Sequence, residues 1–378
     1  MRILVLTHEY PPIGGGGGRV AEDLCTGLAG RGHDVRVLTA HYRTLALEER
    51  RDGVHIQRLT SNRRLPYEAS FGAMARYVWR AFIEGQRLVK QWHPDVIHVH
   101  FAVPAGAAAY WLHQWTRVPY VLTAHLGDVP GGVPEKTDRW FRWIFPFTPG
   151  IWRSASRVVA VSEFTSQLAS RHYRVPIQVI PNGVDLDAVS PASLQPNQPP
   201  RLVFAGRFVE QKNPLYVVRA LSELRDLPWN CTMIGDGVLR SAVENEINRL
   251  NLKDRFTLTG WITPQQVLDW YNRSDILFMP SLSEGLPVVG VQALAMGLAL
   301  VVGKAGGFIE LVEADRNGRL IDPNTLAAGV AALRQLLADP AYLAQCRSNS
   351  RKLAHRFDLN DVVSSYEKTL TEAANAPR

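Results

Sequence analysis

Residues 9–24, EYPPIGGGGGRVAEDL, place five consecutive glycines, Gly14 to Gly18, between a strand-like apolar run, RILVLTH (2–8), and a helix-like run from Arg19. One or two glycines would turn the corner. Each further one costs conformational entropy, so five mark a backbone that must approach something closely. A glycine loop feeding a helix N-terminus also offers bare amides and a positive dipole end to an anion. The alternative is an ordinary flexible surface turn, and the rest of the chain has to decide.

Outward from this stretch, apolar β-branched runs alternate with helical periodicity. DVRVLTA (34–40), DVIHVHF (95–101), PYVLTAH (119–125), RVVAVS (157–162) and IQVIP (177–181) read as strands. Near-continuous apolar strands alternating with helices imply a parallel sheet covered on both faces. From Arg201 the pattern restarts with RLVFAGR, NCTMIG, RFTLTG, DILFMP and LALVVG. Between the two series lies PNGVDLDAVSPASLQPNQPP (181–200), a proline-rich polar linker composition that marks a boundary. The expected organisation is α/β: two Rossmann-like doubly wound parallel-sheet lobes with a cleft between them. Their spans are 1–185 and 186–355, and a last helix in 356–378 packs back on the first lobe.

Composition narrows the functional classes. The chain has 378 residues, 46% of them apolar, enough for two cores. Cys25, Cys231 and Cys346 lie far apart, which fits reduced thiols in a cytoplasmic protein better than a disulfide framework. The N-terminus does not read as a secretory signal. Residues 286–303, LPVVGVQALAMGLALVVG, carry no charge, but proline, glycines and a glutamine divide them into a helix, a glycine stop after Met296 and a buried strand. Residues 1–180 hold 22 Lys and Arg against 14 Asp and Glu, and residues 181–378 hold 20 against 21. A basic first lobe suits a phosphorylated substrate or an anionic membrane surface. No nucleic-acid-binding motif accompanies it, so no nucleic-acid partner is expected.

Ligands of doubly wound sheets bind beyond the carboxyl ends of the strands, so the residues there are the candidates. The loop after the first strand is not a dinucleotide fingerprint: Arg19 occupies the last position of the best GxGxxG window, and LTAHYR (38–43) replaces the ribose-binding acid after the second strand. His98 and His100 alternate onto one strand face without an evident third metal ligand. His125 and Asp128 follow the strand PYVLTAH. In the second lobe Arg207 and Lys212 sit at a strand–loop–helix junction and suit a pyrophosphate. Gly235 and Gly237 flank Asp236 in a tight turn. Ser281, Ser283, Glu284 and Gly285 precede Pro287, which opens a second bare helix N-terminus near Leu286. A carboxylate beside such an anion site makes sense if it holds the hydroxyls of a sugar attached to the phosphate.

Together these residues resemble the family-4 retaining glycosyltransferases of the GT-B fold, which use nucleotide-sugars. The matching elements run in family order through EYPPIGGGGG, AHLGD, PNGVD, GRFVEQKN, IGDG, TGW, SLSEGLP and AMG, over about residues 1 to 310. The resemblance implies that Arg207 and Lys212 bind the diphosphate, Glu284 holds the transferred sugar and His125 contacts sugar near the reacting carbon. It further implies donor contacts from Gly15, Gly16, Gly235, Gly285 and Leu286, with backbone near Trp261 and Ile262 facing the base. Glu9, Gly17, His100 and Asp128 fall on the acceptor side. One departure stands out: the second acid of the Glu-x7-Glu motif is Gln292 here, which has one acceptor oxygen where a carboxylate has two and so alters ribose holding.

The expected function is therefore hexose transfer from a UDP-, GDP- or ADP-sugar to an acceptor hydroxyl of a glycolipid, a polysaccharide or a small molecule. No cofactor or metal is expected, since Arg207 and Lys212 can neutralise the departing diphosphate, and Asp185 and Asp187 follow a PNG turn rather than a strand. A nucleotide-sugar epimerase and a non-catalytic nucleotide-sugar binder are the alternatives. Val78, Phe82 and Val89 share one face of a helix over 74–92, and Arg76, Arg80 and Arg87 lie on another. With the tract RWFRWIFPFTPGIWR (139–153), this mixture of aromatics and arginines suits peripheral docking on anionic lipid.

Overall fold

The computed structural model describes residues 1–65, 69–133 and 144–376. The chain forms two compact units, Met1–Asn182 with Leu359–Arg378, and Gly183–Asp358.

Unit 1 is built on β1 (Arg2–Leu6), β2 (Asp34–Ala40), β3 (Glu48–Arg51), β4 (Val54–Leu59), β5 (Val96–His100), β6 (Tyr120–Ala124), β7 (Arg157–Ala160) and β8 (Ile177–Val179). These lie in the order β3-β4-β2-β1-β5-β6-β7-β8. Every neighbouring pair is parallel except the β3–β4 hairpin. Ile3 to Leu6 are fully buried on both faces, as a helix-covered parallel strand requires. The strand order reverses between β1 and β5, which creates a switch point at their carboxyl ends.

Helix α1 (Gly16–Gly30) follows β1, α2 (Phe71–Trp92) follows β4, α3 (Ala105–Thr116) follows β5, and α4 (Thr148–Ser154) and α5 (Glu163–Ser170) flank β7. Helix α1 begins three residues earlier than Arg19, so Gly16, Gly17 and Gly18 form its first turn and not a loop. Helix α2 is seated on Ala73, Tyr77, Ala81, Gly85, Leu88 and Trp92, while the expected face of Val78, Phe82 and Val89 is only half-buried along its flank. The reason is a close approach: a Cβ on Gly85 would stand 2.5 Å from Leu112 of α3, so the small-residue stripe takes the contact.

Unit 2 contains β9 (Arg201–Ala205), β10 (Asn230–Ile234), β11 (Phe256–Gly260), β12 (Ile276–Met279), β13 (Ala299–Gly303) and β14 (Gly318–Ile321). All are parallel, in the order β11-β10-β9-β12-β13-β14, with the switch point between β9 and β12. Its helices are α6 (Pro214–Ser222), α7 (Arg240–Arg249), α8 (Pro264–Asn272), α9 (Val288–Ala295), α10 (Leu326–Ala338) and α11 (Pro340–Leu353). The uncharged stretch 286–303 divides into α9, a turn at Gly297 (φ +63°) and the buried strand β13. No helix among the described residues is long and apolar enough to cross a membrane.

The proline-rich stretch after Asn182 is not a free tether. Arg347, 1% exposed, pairs with Asp275 at 2.6 Å and donates to the carbonyls of Gln195, Ser193 and Gly297. Arg351 donates to those of Val189 and Leu186. Side chains thus satisfy a backbone that no strand ladder reaches, and the segment becomes part of unit 2. Where the chain leaves unit 2, α12 (Leu359–Ala374) joins unit 1. Val363 lies against Gly27 of α1, and Glu367 pairs with Arg31 and His33 at 2.8 Å each.

Candidate active site

In unit 1 the groups at the carboxyl ends of β1, β5 and β6 converge. The Glu9 carboxylate accepts the Gly15 N–H at 3.0 Å and lies 3.7 Å from both His8 and Arg63. Arg63 in turn donates to the His8 carbonyl at 3.0 Å. The His125 ring stacks on Phe101 with centroids 4.4 Å apart, and His8 meets the same phenyl ring edge-on at 4.9 Å. A Cβ on Gly17 would stand 2.5 Å from Phe101 Cζ, and one on Gly18 3.2 Å from the Glu9 backbone. Close approach, and not unusual φ, explains these helical glycines; among Gly14 to Gly18 only Gly14 has positive φ. Gly15, the N-cap, has open space around it.

The four histidines here are nearly or fully buried, and desolvation disfavours their charged forms. His8 and His125 are pushed down to about 4 and His98 to about 3, with burial the largest cause in each. His100 is held well below the usual histidine range by burial and then by its histidine neighbours. His100, expected to face an acceptor, is fully enclosed and meets His125 at 3.4 Å, so it stands behind that ring. His98 binds Thr123 at 2.9 Å. Asp128 is likewise 2% exposed: its carboxylate accepts the His125 N–H at 2.9 Å and the Val103 N–H at 3.4 Å, shaping the turn after β6. Burial pushes Asp128 up to about 7, against the pull of those backbone donors. A cavity of about 740 Å³ lined by Arg2, Asp34, His93 and Asp95 opens on the opposite, amino edge of this sheet.

In unit 2 the switch point brings two loops together. Lys212 Nζ pairs with Glu284 Oε1 at 2.5 Å, with side-chain exposures of 15% and 6%. Gln211 donates to the Ser283 carbonyl and the Leu282 N–H donates to the Gln211 carbonyl, both at 2.8 Å. Arg207 is half-buried after Gly206, and no carboxylate pairs with it among the described residues. Gly235 (φ +125°) packs so tightly that a Cβ would overlap the Gly206 carbonyl. A Cβ on Gly306 would likewise overlap the Glu284 carbonyl, and one on Gly307 that of Gly285. Backbone therefore presses on backbone from both sides of the Arg207–Lys212–Glu284 region.

Helix α9 starts at Val288 with Pro287 as its N-cap, one residue later than expected for that proline. Leu286 is buried, and Gly285 and Gln292 are half-buried. Trp261, 54% exposed, and the half-buried Ile262 follow β11, two strands away from β9 on the same sheet edge. Asp185 Oδ1 accepts the N–H groups of Asp187 and Ala188, and Asp187 is exposed, so this pair forms a turn. Among the described residues no group of three or more His, Cys, Asp or Glu is arranged to hold a metal.

Sequence reasoning passed over Phe101 and Arg63. Phe101 has φ +73°, which is unusual for a bulky residue and is set by its place between β5 and α3. Ser281, fully buried at the end of β12, has a hydroxyl with no hydrogen-bond partner. Nothing local in the sequence distinguishes Phe101 or Arg63.

Two doubly wound parallel-sheet units in one chain, the second carrying a lysine–carboxylate pair at its switch point, define a GT-B architecture. The description "Glycosyltransferase Family 4" matches residues 14–188 and "Glycosyl transferases group 1" matches residues 187–353, and the chain belongs to this glycosyltransferase family. It is 29% identical to a glycogen synthase of Mycobacterium tuberculosis over 100% of this chain and 96% of the relative. In structure it is similar to a sucrose-phosphate synthase of Thermosynechococcus elongatus (TM-score 0.89, 21% identity, 100% of both chains). It is also similar to HepE of Anabaena, solved with UDP and glucose (TM-score 0.79, 21% identity, 98% of this chain and 100% of that one).

Proposed function

We infer that this glycosyltransferase moves a hexose from a nucleotide diphosphate sugar to an acceptor hydroxyl, with retention of anomeric configuration and without a divalent metal. One observation carries the reading: a half-buried arginine, Arg207, with no carboxylate partner among the described residues stands at the unit 2 switch point with a lysine already paired to a buried glutamate. The solved complexes of HepE with UDP-glucose and with UDP and glucose support a donor of this class. Arg207, Lys212 and the N-terminus of α9 would stabilise charge developing on the diphosphate as the bond from the anomeric carbon to the phosphate oxygen breaks. Glu284 would accept hydrogen bonds from the sugar hydroxyls. The acceptor oxygen forms its bond to the anomeric carbon on the same face, and its proton passes to the departing phosphate oxygen. His125 is neutral at pH 7 and a weak base, so it would orient and hydrogen-bond the sugar. Gln292 would hold the donor ribose less firmly than a carboxylate.

The test is incubation with UDP-, GDP- and ADP-glucose in EDTA, measuring released nucleotide and the anomeric configuration of the product. Turnover is expected with at least one donor, and Arg207→Ala should lower kcat/KM by about 100-fold or more. An Arg207→Ala enzyme within a few-fold of wild type would overturn the electrostatic account. Complete dependence on manganese would overturn metal independence, and inversion would overturn retention.

A further inference from the structure

We propose that the outer face of α2 and α3 docks unit 1 on an anionic bilayer surface. The inference is independent of which sugar is transferred. With α2 seated on its small-residue stripe against α3, the outer faces of the two helices lie side by side. Trp79, Ile83, Trp111 and Trp115 are 62%, 45%, 55% and 74% exposed. They belong to one continuous surface, since Phe82 lies 6.4 Å from the Trp79 ring and 6.5 Å from the Trp115 ring.

The cations follow the same spacing. Arg76, Arg80, Arg87 and Lys90 are exposed at intervals of four, seven and three residues, on the turns that also carry Trp79 and Ile83. The two helices contain a single acidic residue, Glu84. Its carboxylate is 18% exposed and accepts from Gln57 at 3.0 Å and Arg87 at 2.8 Å. Such a face matches an extended negative surface, with indole rings at the headgroup level and cations against anionic lipid. The tract 139–153 adds less than its composition promised. Residues 139–143 lie outside the described residues, and Trp152 is buried in the core, stacked on Tyr173 at 4.1 Å.

The face is also placed to be useful. Tyr77, on the inner side of α2, has its ring 6.4 Å from that of His8. The turns carrying Arg76, Trp79 and Arg80 therefore back directly onto the carboxyl-edge site of unit 1. A protein held by this face would bring that edge close to the headgroup layer, where a lipid-linked acceptor hydroxyl is presented.

The experiment is flotation of the full chain with vesicles of phosphatidylcholine alone and of phosphatidylcholine with one-third phosphatidylglycerol, at low and high salt. Binding is expected only to the phosphatidylglycerol vesicles, weakened by salt and accompanied by a blue shift of tryptophan emission. Arg76→Glu with Arg80→Glu, and separately Trp79→Ala with Trp115→Ala, should each lower vesicle binding at least tenfold with an unchanged circular dichroism spectrum. A wild-type chain that stays with the soluble fraction at low salt overturns the proposal. So does equal binding by the folded variants. If the tryptophan variant instead abolishes a self-association seen by light scattering without vesicles, the face is a protein interface and the proposal falls.

Discussion

Buried titratable groups make the stability of unit 1 depend on pH, and their surroundings set the direction. His125 faces His8, His100, Phe101 and Glu9, and none of these stabilises a proton on the ring enough to offset burial. The folded values of His8, His98 and His125 lie below the unfolded value of 6.5. The unfolded chain therefore binds more protons, and stability is lost as pH falls from about 6.5 towards 4. Asp128 works in the opposite sense: its value is raised from 3.8 to about 7, so its contribution is full in acid and fades as pH rises through 7. Each of the three histidines costs on the order of 2 kcal/mol at pH 5, so together they outweigh one carboxyl. The thermal midpoint should drop by several degrees between pH 7 and pH 5, and a midpoint that stays constant would mean that these rings are not held neutral.

At the scale of elements, the β3–β4 hairpin and the glycine turn show two kinds of legibility. Residues 48–59 were absent from the strands expected from sequence, because EERR is charged and short. The signal was nevertheless there: Asp52 and Gly53 both have positive φ (51° and 80°) and join strands paired Arg51 to Val54, the arrangement a two-residue Asp-Gly hairpin favours. The glycine run marks a place of close approach, but which glycine meets which neighbour depends on β5 and its loop. Gly17→Ala pushes a methyl group into Phe101 and through it against the His125 stack; overpacking of this kind costs about 1–3 kcal/mol. It should lower kcat/KM at least tenfold, whereas Gly30→Ala, at the far end of the same helix with nothing within 4 Å, should stay within about twofold of wild type. Equal kinetics for the two variants would show that the Phe101 contact does not shape the site.

Over the whole molecule, the division into units depends on contacts remote in sequence. Arg347 and Asp275, 72 residues apart, form a buried pair that also holds the chain leaving unit 1. Removing one partner of such a pair leaves a buried charge, a change that costs about 3–5 kcal/mol. Arg347→Ala should therefore lower the calorimetric transition of unit 2 and leave that of unit 1 in place. An unaltered transition would show the pair to be dispensable. The same remoteness explains why residues 183–200 read as a tether: proline and polar composition reports a backbone outside sheets and helices, and says nothing of the arginine side chains that bind it.

What the sequence determined by itself was everything carried by local periodicity and short spacing. Fully apolar strands alternating with amphipathic helices, restarting at Arg201, specify two doubly wound sheets. Glycine, Arg207, Lys212 and Glu284 at strand ends specify an anion site with a carboxylate beside it. Only the tertiary structure decided how those pieces meet: Lys212 on Glu284, Arg63 on Glu9 and His8, Phe101 between His8 and His125, and Tyr77 behind His8. Each of these depends on chain segments brought together by burial of two separate cores, and hydrophobic burial is non-directional. It drives the collapse that a pattern of apolar residues announces, while the register of the final contacts comes from close packing between surfaces that no short stretch of sequence contains.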